Sequence, residues 1–330
     1  MKRYALTLLL VLIGSALMAQ QNIIFETDMG NDVDDALAID MLYKYHRQKR
    51  IDLKAVMLNK EGEYPVRFID LLNKWYGCPH IPIGTCSRTR QSRVAGQNYT
   101  QVVVEEKDAK GKPLYKRSLK RYDRLPTSVE LYRKLLAKAK DGSITIVSVG
   151  FSNNLAELLA SEPDRYSPLS GKELVRRKVA RLVAMVGHFT NPNYAEYNVT
   201  NDIPACQKVF REWPTPIYCS GFEVGERILY PKRSILEDFG WTQHHPIVDA
   251  YKNYLPKLED RPTWDLTAVL FAIDPGNRFG VSEPGEVVIN DKGQSHYSAT
   301  PDGKHFFLTV TDKQRKDIQA YFVDMITKRP

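Results

Sequence analysis

NIIFETDMGNDVDDALAIDML, residues 22–42, leads from a short apolar run through four aspartates and into an apolar pattern with helical spacing. The aspartates, Asp28, Asp32, Asp34 and Asp35, fall within eight positions. An acidic side chain near a helix N-terminus is favourable by about 0.3 to 1 kcal/mol, which is too little to offset the mutual repulsion of four. A divalent cation offsets it well, since hard cations such as Ca²⁺ bind about six to eight oxygen ligands. The stretch therefore predicts a metal site between a strand and a helix.

Three other interpretations of the acidic stretch can be compared with the same residues. An EF-hand loop needs glycine at its sixth position, and counting from Asp28 places Val33 there. Phosphoryl transfer to an aspartate two positions before Asp28 would meet Glu26 instead. A capped helix start with solvated acids is the third interpretation, and the residues alone leave it open beside the metal site.

Short β-branched runs alternate with helical patterns along most of the chain. The runs are residues 23–25, 53–58, 144–149, 180–186 and 215–220. The helical patterns include residues 34–47, 64–76, 128–140, 153–160, 246–255 and 264–273. This alternation predicts the α/β class, with an open, mostly parallel Rossmann-like sheet and helices on both faces. Such sheets bind ligands at the carboxyl ends of their strands, and Asp28 closely follows the first run.

Two segments depart from this alternation. Residues 105–123 are highly charged and have no apolar face, which predicts a solvated surface insertion; a basic binding patch is the alternative. Residues 285–312 alternate apolar and polar side chains around an NDKG turn, which predicts an antiparallel β-hairpin. A last helix is expected at residues 312–327.

Residues 1–20 have the pattern of an export signal. Lys2 and Arg3 precede an apolar run shorter than the roughly 20 residues of a transmembrane helix, and Ala19 lies at the expected cleavage site. An uncleaved or lipid-anchoring helix is the alternative. We therefore expect an exported protein, periplasmic or extracellular if bacterial. It would have one domain over residues 21–330 and no stable membrane insertion after cleavage.

Charge and cysteine content support neither a nucleic-acid-binding protein nor a protein with a structural zinc site. The formal charge of +8 over 330 residues is modest, so we expect no nucleic-acid partner. The four cysteines form no C-x-x-C pair and lie near no histidine at zinc-ligand spacing, which argues against a structural zinc site. A disulfide between Cys78 and Cys86 is permitted in an oxidising compartment, but a chain of this length has enough core to favour free, buried thiols.

Four segments, in order along the chain, resemble the nucleoside hydrolase family, the inosine-uridine-preferring N-ribohydrolases. ETDMGNDVDDALAI (residues 26–39) resembles the family's N-terminal signature D-x-D-x-G-x-D-D-A-x-A. Three later segments are similar to further motifs of the family: TIVSVGFSNNLAELL (145–159), NYAEYNVTNDIPACQKVF (193–210) and PTWDLTAVLFAI (262–273). The resemblance covers residues 22–275 and implies a hydrolase of small-molecule ribosides.

A calcium site and a general base are implied by this resemblance. Calcium would be held by Asp28, Asp35, Asp265 and the backbone carbonyl of Asn153. In the family the metal also holds the attacking water, and Asp28 would accept that water's proton.

The resemblance also implies contacts to the sugar. Asp34 would bind ribose hydroxyls, although the longer spacing in this chain leaves Asp32 as a competitor for that role. Glu196 and Asn198 would hold the far edge of the sugar.

Two positions depart from the family pattern around the substrate. An asparagine expected six residues before Glu196 is replaced by Thr190, and Asn191 is the expected stand-in, with Asn193 as the alternative. The leaving-group histidine is replaced by Trp264, which can stack on a heterocycle but cannot protonate it. The candidates for a replacement acid are His188, His244 and His245.

The sequence therefore predicts a calcium-dependent hydrolase of N-glycosidic bonds in ribonucleosides or related ribosides. The alternative is a metal-dependent riboside-binding protein with little or no hydrolysis. The base preference and the oligomeric state are left open, and a homo-oligomer is compatible with the sequence.

Overall fold

The computed structural model describes residues 20–86 and 99–330. The strands are β1 (Gln21–Thr27), β2 (Ile51–Leu58), β3 (Ile83–Gly84), β4 (Ile144–Ser148), β5 (Val179–Met185), β6 (Ile217–Ser220), β7 (Leu229–Tyr230), β8 (Arg261–Pro262), β9 (Gly280–Val281), β10 (Gly285–Ile289), β11 (Ser295–Ala299) and β12 (His305–Thr309). The helices are α1 (Asp34–Arg47), α2 (Glu63–Trp75), α3 (Tyr99–Glu105), α4 (Ser128–Lys138), α5 (Asn153–Ala160), α6 (Gly171–Lys178), α7 (Tyr197–Thr200), α8 (Ile203–Glu212), α9 (Phe222–Glu226), α10 (Lys232–Glu237), α11 (Pro246–Tyr254), α12 (Trp264–Ile273) and α13 (Asp312–Thr327).

Ten of the strands in the described part of the chain form one open sheet. Its order is β11-β10-β12-β6-β5-β4-β1-β2-β3, with β9 paired to β12. Neighbours from β12 to β3 run parallel, whereas β10 pairs antiparallel with β11 and β12. The predicted α/β class, with an open, mostly parallel sheet followed by a C-terminal hairpin and helix, is therefore confirmed. The two-stranded β7-β8 ribbon is separate from this sheet.

Strand β1 is buried on both faces of the sheet. Ile23 and Phe25 belong to one apolar layer, which also contains residues of α1 and α12. Ile24 belongs to the opposite layer, together with residues of α5. Successive side chains of a strand point to opposite faces, so a strand covered by helices on both sides needs an unbroken apolar run. The sequence IIF supplies this run.

The strand order changes direction beside β1. The chain passes from β1 through β2 to β3 on one side, and then forms β4 on the other side of β1. Open α/β sheets bind ligands at such a switch point, outside the carboxyl ends of the strands. Gly150 lets the two strand ends come close, because a Cβ at this position would lie 2.7 Å from the backbone nitrogen of Asp28. The acidic stretch therefore begins at the switch point.

Residues 105–123 are only partly the solvated insertion that their charge predicts. Tyr115 is buried, and its hydroxyl donates a hydrogen bond to the Asp249 carboxylate. The Asp70 carboxylate accepts the backbone N–H of Leu119 at 2.9 Å and the Tyr122 hydroxyl at 2.7 Å. Tyrosines spaced among the charges thus fix the segment to helices α2 and α11, although most of its lysines and arginines are exposed or half-buried.

Two further expectations concern cysteines and the chain terminus. Among the described residues no disulfide joins any of the four cysteines, and all four are buried, which confirms the preference for thiols over a disulfide. Among the described residues, no helix combines the length and apolar character needed to cross a bilayer. Apart from Gln20, the proposed export signal lies outside the described residues and stays a prediction.

Candidate functional site

The loop from β1 to α1 carries the first acidic residues and has a fixed conformation. Gly30 has φ of +102°, a region that favours glycine because no Cβ clashes there. The Tyr99 hydroxyl accepts the backbone N–H of Gly30 at 3.0 Å and donates to the carbonyl of Asp32 at 2.9 Å. Tyr99 is itself fully buried, so the loop is anchored to helix α3.

Three buried carboxylates converge where α1 and α12 begin. Oxygens of Asp34, Asp35 and Asp265 all lie within 4.8 Å of one another. The backbone N–H of Asp265 donates to the Asp34 carboxylate at 3.1 Å, which joins the two helix starts. The Thr27 hydroxyl donates to the Asp35 carboxylate from the end of β1. These three side chains therefore form an acidic cluster at the carboxyl end of the sheet.

Electrostatics in this cluster are unfavourable without a counter-charge. Burial, together with the neighbouring carboxylates, raises the pKa of Asp34, Asp35 and Asp265 well above the ordinary value. Carboxylate oxygens are the ligands of hard cations such as Ca²⁺, and no sulfur or imidazole donor belongs to the cluster. The donor set therefore fits a divalent, oxygen-preferring cation, and the cluster could hold one.

Asp28 lies beside the cluster with a different set of partners. Its carboxylate accepts a hydrogen bond from the Asn31 amide, and the Lys60 ammonium donates to the Asn31 side-chain oxygen. Burial raises the pKa of Asp28 to about 6, while the Asn31 hydrogen bond and the Lys60 charge act in the opposite direction. A carboxylate with this pKa can both carry charge at neutral pH and accept a proton.

A cavity of about 340 Å³ opens above these carboxylates. Its lining combines acidic and aromatic side chains. Its lining consists of Asp28, Asn31, Asp32, Asp34, Asp35, Val149, Met185, Glu196, Tyr197, Asn198, Phe222, Tyr254, Trp264 and Asp265. Such a combination suits a ligand that has a hydroxyl-rich end and a flat apolar end.

Glu196 and Asn198 line the cavity from the loop after β5 and the start of α7. The Glu196 carboxylate accepts backbone N–H groups of Gly187 at 3.2 Å and Asn198 at 2.8 Å. Burial raises the pKa of Glu196 to about 7, and these N–H donors limit the rise. The Asn198 amide donates to the carbonyls of Val149 at 3.0 Å and Met185 at 3.1 Å. Both side chains are thus held rigidly by the main chain around the cavity.

Trp264 belongs to the aromatic wall of the cavity. Its indole N–H donates to the carbonyl of Phe222 at 3.0 Å, and the two rings stack with centroids 5.1 Å apart. Gly225 makes room for this contact, since a Cβ there would lie 2.3 Å from the Trp264 Cα. The tryptophan therefore presents a fixed flat surface directly before Asp265.

Asn191 and Asn153, which the resemblance assigns to the substrate and the metal, are absent from the lining of the cavity. Asn191 is exposed, and its backbone N–H donates to the His188 ring at 3.1 Å in a surface turn. Asn153 is buried at the start of α5, where its amide donates to the carbonyl of Asn59 at 3.1 Å. Their assignments to substrate and metal remain predictions that the cavity does not support by itself. His245 is buried among aromatic rings on another part of the fold.

Several site residues were missed from the sequence. Asn31 and Lys60 come together only because β1 and β2 are neighbours, and Arg261 pairs with Asp32 across 229 positions. No local spacing marks such contacts. The aromatic Tyr254 ends α11 and carries no motif that distinguishes it from a core residue.

The fold and the cavity define an α/β protein with an acidic, aromatic-walled ligand site at its switch point. Residues 23–325 match the sequence profile described as inosine-uridine preferring nucleoside hydrolase. This chain belongs to the inosine-uridine preferring nucleoside hydrolase family.

Individual relatives are distant. The pyrimidine-specific ribonucleoside hydrolase RihA of an Enterobacter species is 28% identical over 217 residues, which cover 62% of this chain and 61% of that protein. The chain thus spans about three fifths of the length of this curated relative. A plant nucleoside hydrolase, the PpNRh1 enzyme, superimposes with a TM-score of 0.71 at 19% identity and covers 94% of this chain and 99% of its own. The type III effector protein XopQ, solved with adenosine diphosphate ribose, has a TM-score of 0.63 at 14% identity and covers 93% of each chain. These two likenesses support the fold.

Proposed function

We propose that this protein is a calcium-dependent hydrolase of N-glycosidic bonds in ribonucleosides or related ribosides. The observation that carries the proposal is the arrangement of one cavity. Its lining combines the Asp34, Asp35 and Asp265 cluster, the side chains of Glu196 and Asn198, and an aromatic wall that includes Phe222, Tyr254 and Trp264. Family membership supports the reaction class, and the cavity provides groups of suitable chemistry for a sugar and a base.

The cation would be held by Asp34, Asp35 and Asp265, with Asp28 adjacent. The all-oxygen donor set favours calcium over zinc. When bound, the cation supplies positive charge that offsets the buried carboxylates and polarises oxygens near it. Because Asp34 shares the cluster, it would contact both the cation and the sugar, while Asp32 is engaged by Arg261.

Asp28 acts as the general base in this proposal. Its pKa of about 6 leaves most of the carboxylate ionised at neutral pH, so it can take the proton of the attacking water. Glu196 and Asn198 orient the sugar through its hydroxyls, since both are fixed by main-chain hydrogen bonds. The carboxylates around the sugar stabilise positive charge that develops on the ring in an oxocarbenium-like transition state.

The charge of the cavity favours neutral ribosides over ribosides with a 5′-phosphate. Six acidic residues contribute to the lining, and adding a phosphate dianion would increase the repulsion. They are Asp28, Asp32, Asp34, Asp35, Glu196 and Asp265.

Hydrolysis of p-nitrophenyl riboside with calcium, and with a chelator, tests the proposed function. We expect turnover that depends on calcium, because the leaving group needs no protonation. Asp28→Asn should lower kcat by roughly 10²- to 10⁴-fold while the protein still binds ribose. Absence of turnover on p-nitrophenyl riboside, inosine and uridine would remove the hydrolase proposal.

A riboside-binding protein without efficient hydrolysis is the second candidate. Trp264 stands where a proton donor is expected, and the fold is shared with an effector protein solved with adenosine diphosphate ribose. Calorimetric binding of ribose with calcium, without turnover of any riboside above, would support this candidate.

We also propose that residues 1–20 direct export and are then removed. The support is the basic start, the apolar run and Ala19. Mass spectrometry of the mature protein from the exported fraction tests this, and an intact Met1 in that fraction would contradict it.

A further inference from the structure

Arg261 occupies a constrained position beside the cavity. It lies on the β7-β8 ribbon, where it pairs with Tyr230. Two residues further on, Thr263 is fixed by its backbone N–H to the carbonyl of Gly225 at 3.2 Å and by its hydroxyl to the carbonyl of Ile228 at 2.8 Å. The main chain that carries Arg261 is therefore held in place.

Three residues that line the cavity hold the Arg261 guanidinium. It forms an ion pair with the Asp32 carboxylate, and the exposed fractions of the two side chains are 18% and 23%. Its central carbon lies 5.1 Å from the Tyr254 ring centroid and 6.0 Å from the Trp264 ring centroid. These are cation–π distances, so the planar group rests against the aromatic wall. Its Nε is buried and has no hydrogen-bond partner among the described residues.

The side chains that surround Arg261 indicate which part of a riboside would lie near it. Sugar hydroxyls need the hydrogen-bonding side chains Asp34, Glu196 and Asn198, whereas a flat ring gains most against the aromatic wall. Arg261 is not itself among the lining residues, but its guanidinium packs against Tyr254 and Trp264, so it lies directly beside the aromatic part of the lining, which suits the flat ring.

We propose that Arg261 stabilises the negative charge that develops on the leaving group, in place of an acid that would protonate it. This inference rests on the proposed function. An arginine keeps its proton at any working pH, so it can offer charge and N–H donors but no proton. Preorganised donors aimed at developing charge are an established source of rate enhancement.

The chemical step then balances without a protein acid. Water forms a bond to the anomeric carbon and gives its proton to the Asp28 carboxylate. The bond from the anomeric carbon to the leaving group breaks, and its electron pair stays on the leaving group. The leaving group departs as an anion beside Arg261 and takes a proton from solvent afterwards.

This assignment selects a class of substrates. Ribosides whose base forms a stable anion, such as a pyrimidine dione bonded through a ring nitrogen, gain most from a guanidinium. Bases that must be protonated before they leave, such as adenine, gain little. The protein should therefore cleave uridine better than adenosine.

The test compares native protein with Arg261→Met on p-nitrophenyl riboside, phenyl riboside and uridine, with calcium. We expect kcat/KM to fall roughly 10- to 100-fold for uridine and phenyl riboside, the size of one lost charge-assisted hydrogen bond. The loss on p-nitrophenyl riboside should be much smaller, since p-nitrophenolate needs little stabilisation. An equal loss on all three substrates, or no loss, would overturn the proposal, because a merely structural arginine would not change the dependence on the leaving group.

Arg278→Met is a matched control. Arg278 also combines an ion pair, to Asp274 at 3.0 Å, with a cation–π contact, to Tyr321 at 4.1 Å, but neither of these partners lines the cavity. We expect its variant to follow native protein on every substrate. A selective loss in Arg278→Met equal to that in Arg261→Met would also overturn the proposal.

A binding measurement separates this inference from the proposed function. Calorimetry with ribose and calcium present would compare 4-nitrophenolate with the neutral 4-nitroaniline. We expect native protein to prefer the anion by about 10-fold and Arg261→Met to lose that preference. If no riboside is hydrolysed, the hydrolase proposal fails, yet this preference still decides whether Arg261 recognises an anion beside Tyr254 and Trp264.

Discussion

Replacing Asp265 by asparagine should have opposite effects on the stability of the metal-free and the calcium-bound protein. Oxygens of the three carboxylates lie within 4.8 Å of one another, and two unit charges at that distance repel by about 3.5 kcal/mol at an effective dielectric constant of about 20. Protonation already relieves part of this repulsion, because the pKa of each carboxyl is raised. We therefore expect Asp265→Asn to increase the free energy of unfolding by about 1 to 3 kcal/mol at about pH 8 with a chelator present.

With calcium bound, native protein should be more stable than Asp265→Asn. A cation present at about 100 times its dissociation constant stabilises the folded state by about 2.7 kcal/mol. The variant should lose this stabilisation, because it lacks one of the charged ligands. Urea unfolding with calcium and with chelator measures both effects. If calcium stabilises Asp265→Asn as much as it stabilises native protein, Asp265 is not a ligand of the metal.

Asp40→Asn is the control for a buried aspartate in a different electrostatic setting. Asp40 pairs with Lys44 at 2.9 Å, and both side chains are almost fully buried. Neutralising it leaves a buried ammonium without its partner, so the variant should be less stable with or without calcium. If Asp265→Asn also destabilises the metal-free protein, repulsion within the cluster is not the dominant effect and our reasoning is refuted.

Two further predictions concern aromatic surroundings. Trp264→Ala should weaken ligand binding by on the order of 1 kcal/mol, because the ring stacked on Phe222 is lost, while kcat on p-nitrophenyl riboside changes little; a fall in kcat at unchanged affinity would contradict this. Burial lowers the pKa of His245 to about 3, so its contribution to stability is complete above the ordinary value of 6.5 and is lost as pH falls below that value. The test is the change in the free energy of unfolding by urea between about pH 7 and about pH 5. His245→Asn can still cap α11 through the Ile247 N–H, and its free energy of unfolding should fall by about 2 kcal/mol less than that of native protein. An equal loss would mean that His245 is not titrating as a buried base.

The fold was predictable where local patterns are strong. The bounds of α1, α5, α12 and α13 agree with the predicted ranges, because each has a clear apolar face or apolar run and an adjacent turn. The strands β3, β7, β8 and β9 were not predicted, since two residues are too few to establish a period. Their existence depends on neighbours that come from distant parts of the chain.

The site was predictable only as far as motifs reach. The resemblance assigned the metal to Asp28, Asp35 and Asp265 and the sugar to Asp34, whereas the structure places the Asp34 carboxylate in one cluster with Asp35 and Asp265. Asp28 lines the same cavity, and its assignment to the metal stays a prediction. Both Asp34 and Asp35 lie in the first turn of α1, where rotamers and tertiary hydrogen bonds decide direction. Sequence spacing does not contain that information.

The hydrogen bond from Asp265 to Asp34 also bears on the order in which the protein folds. It joins helix starts 231 positions apart, so the acidic cluster does not exist until the first βα unit and α12 have docked. Closing so long a loop is slow and belongs to a late stage of folding. A cation that needs the complete cluster cannot speed the early steps. Its binding slows the unfolding of the folded protein and does not accelerate folding.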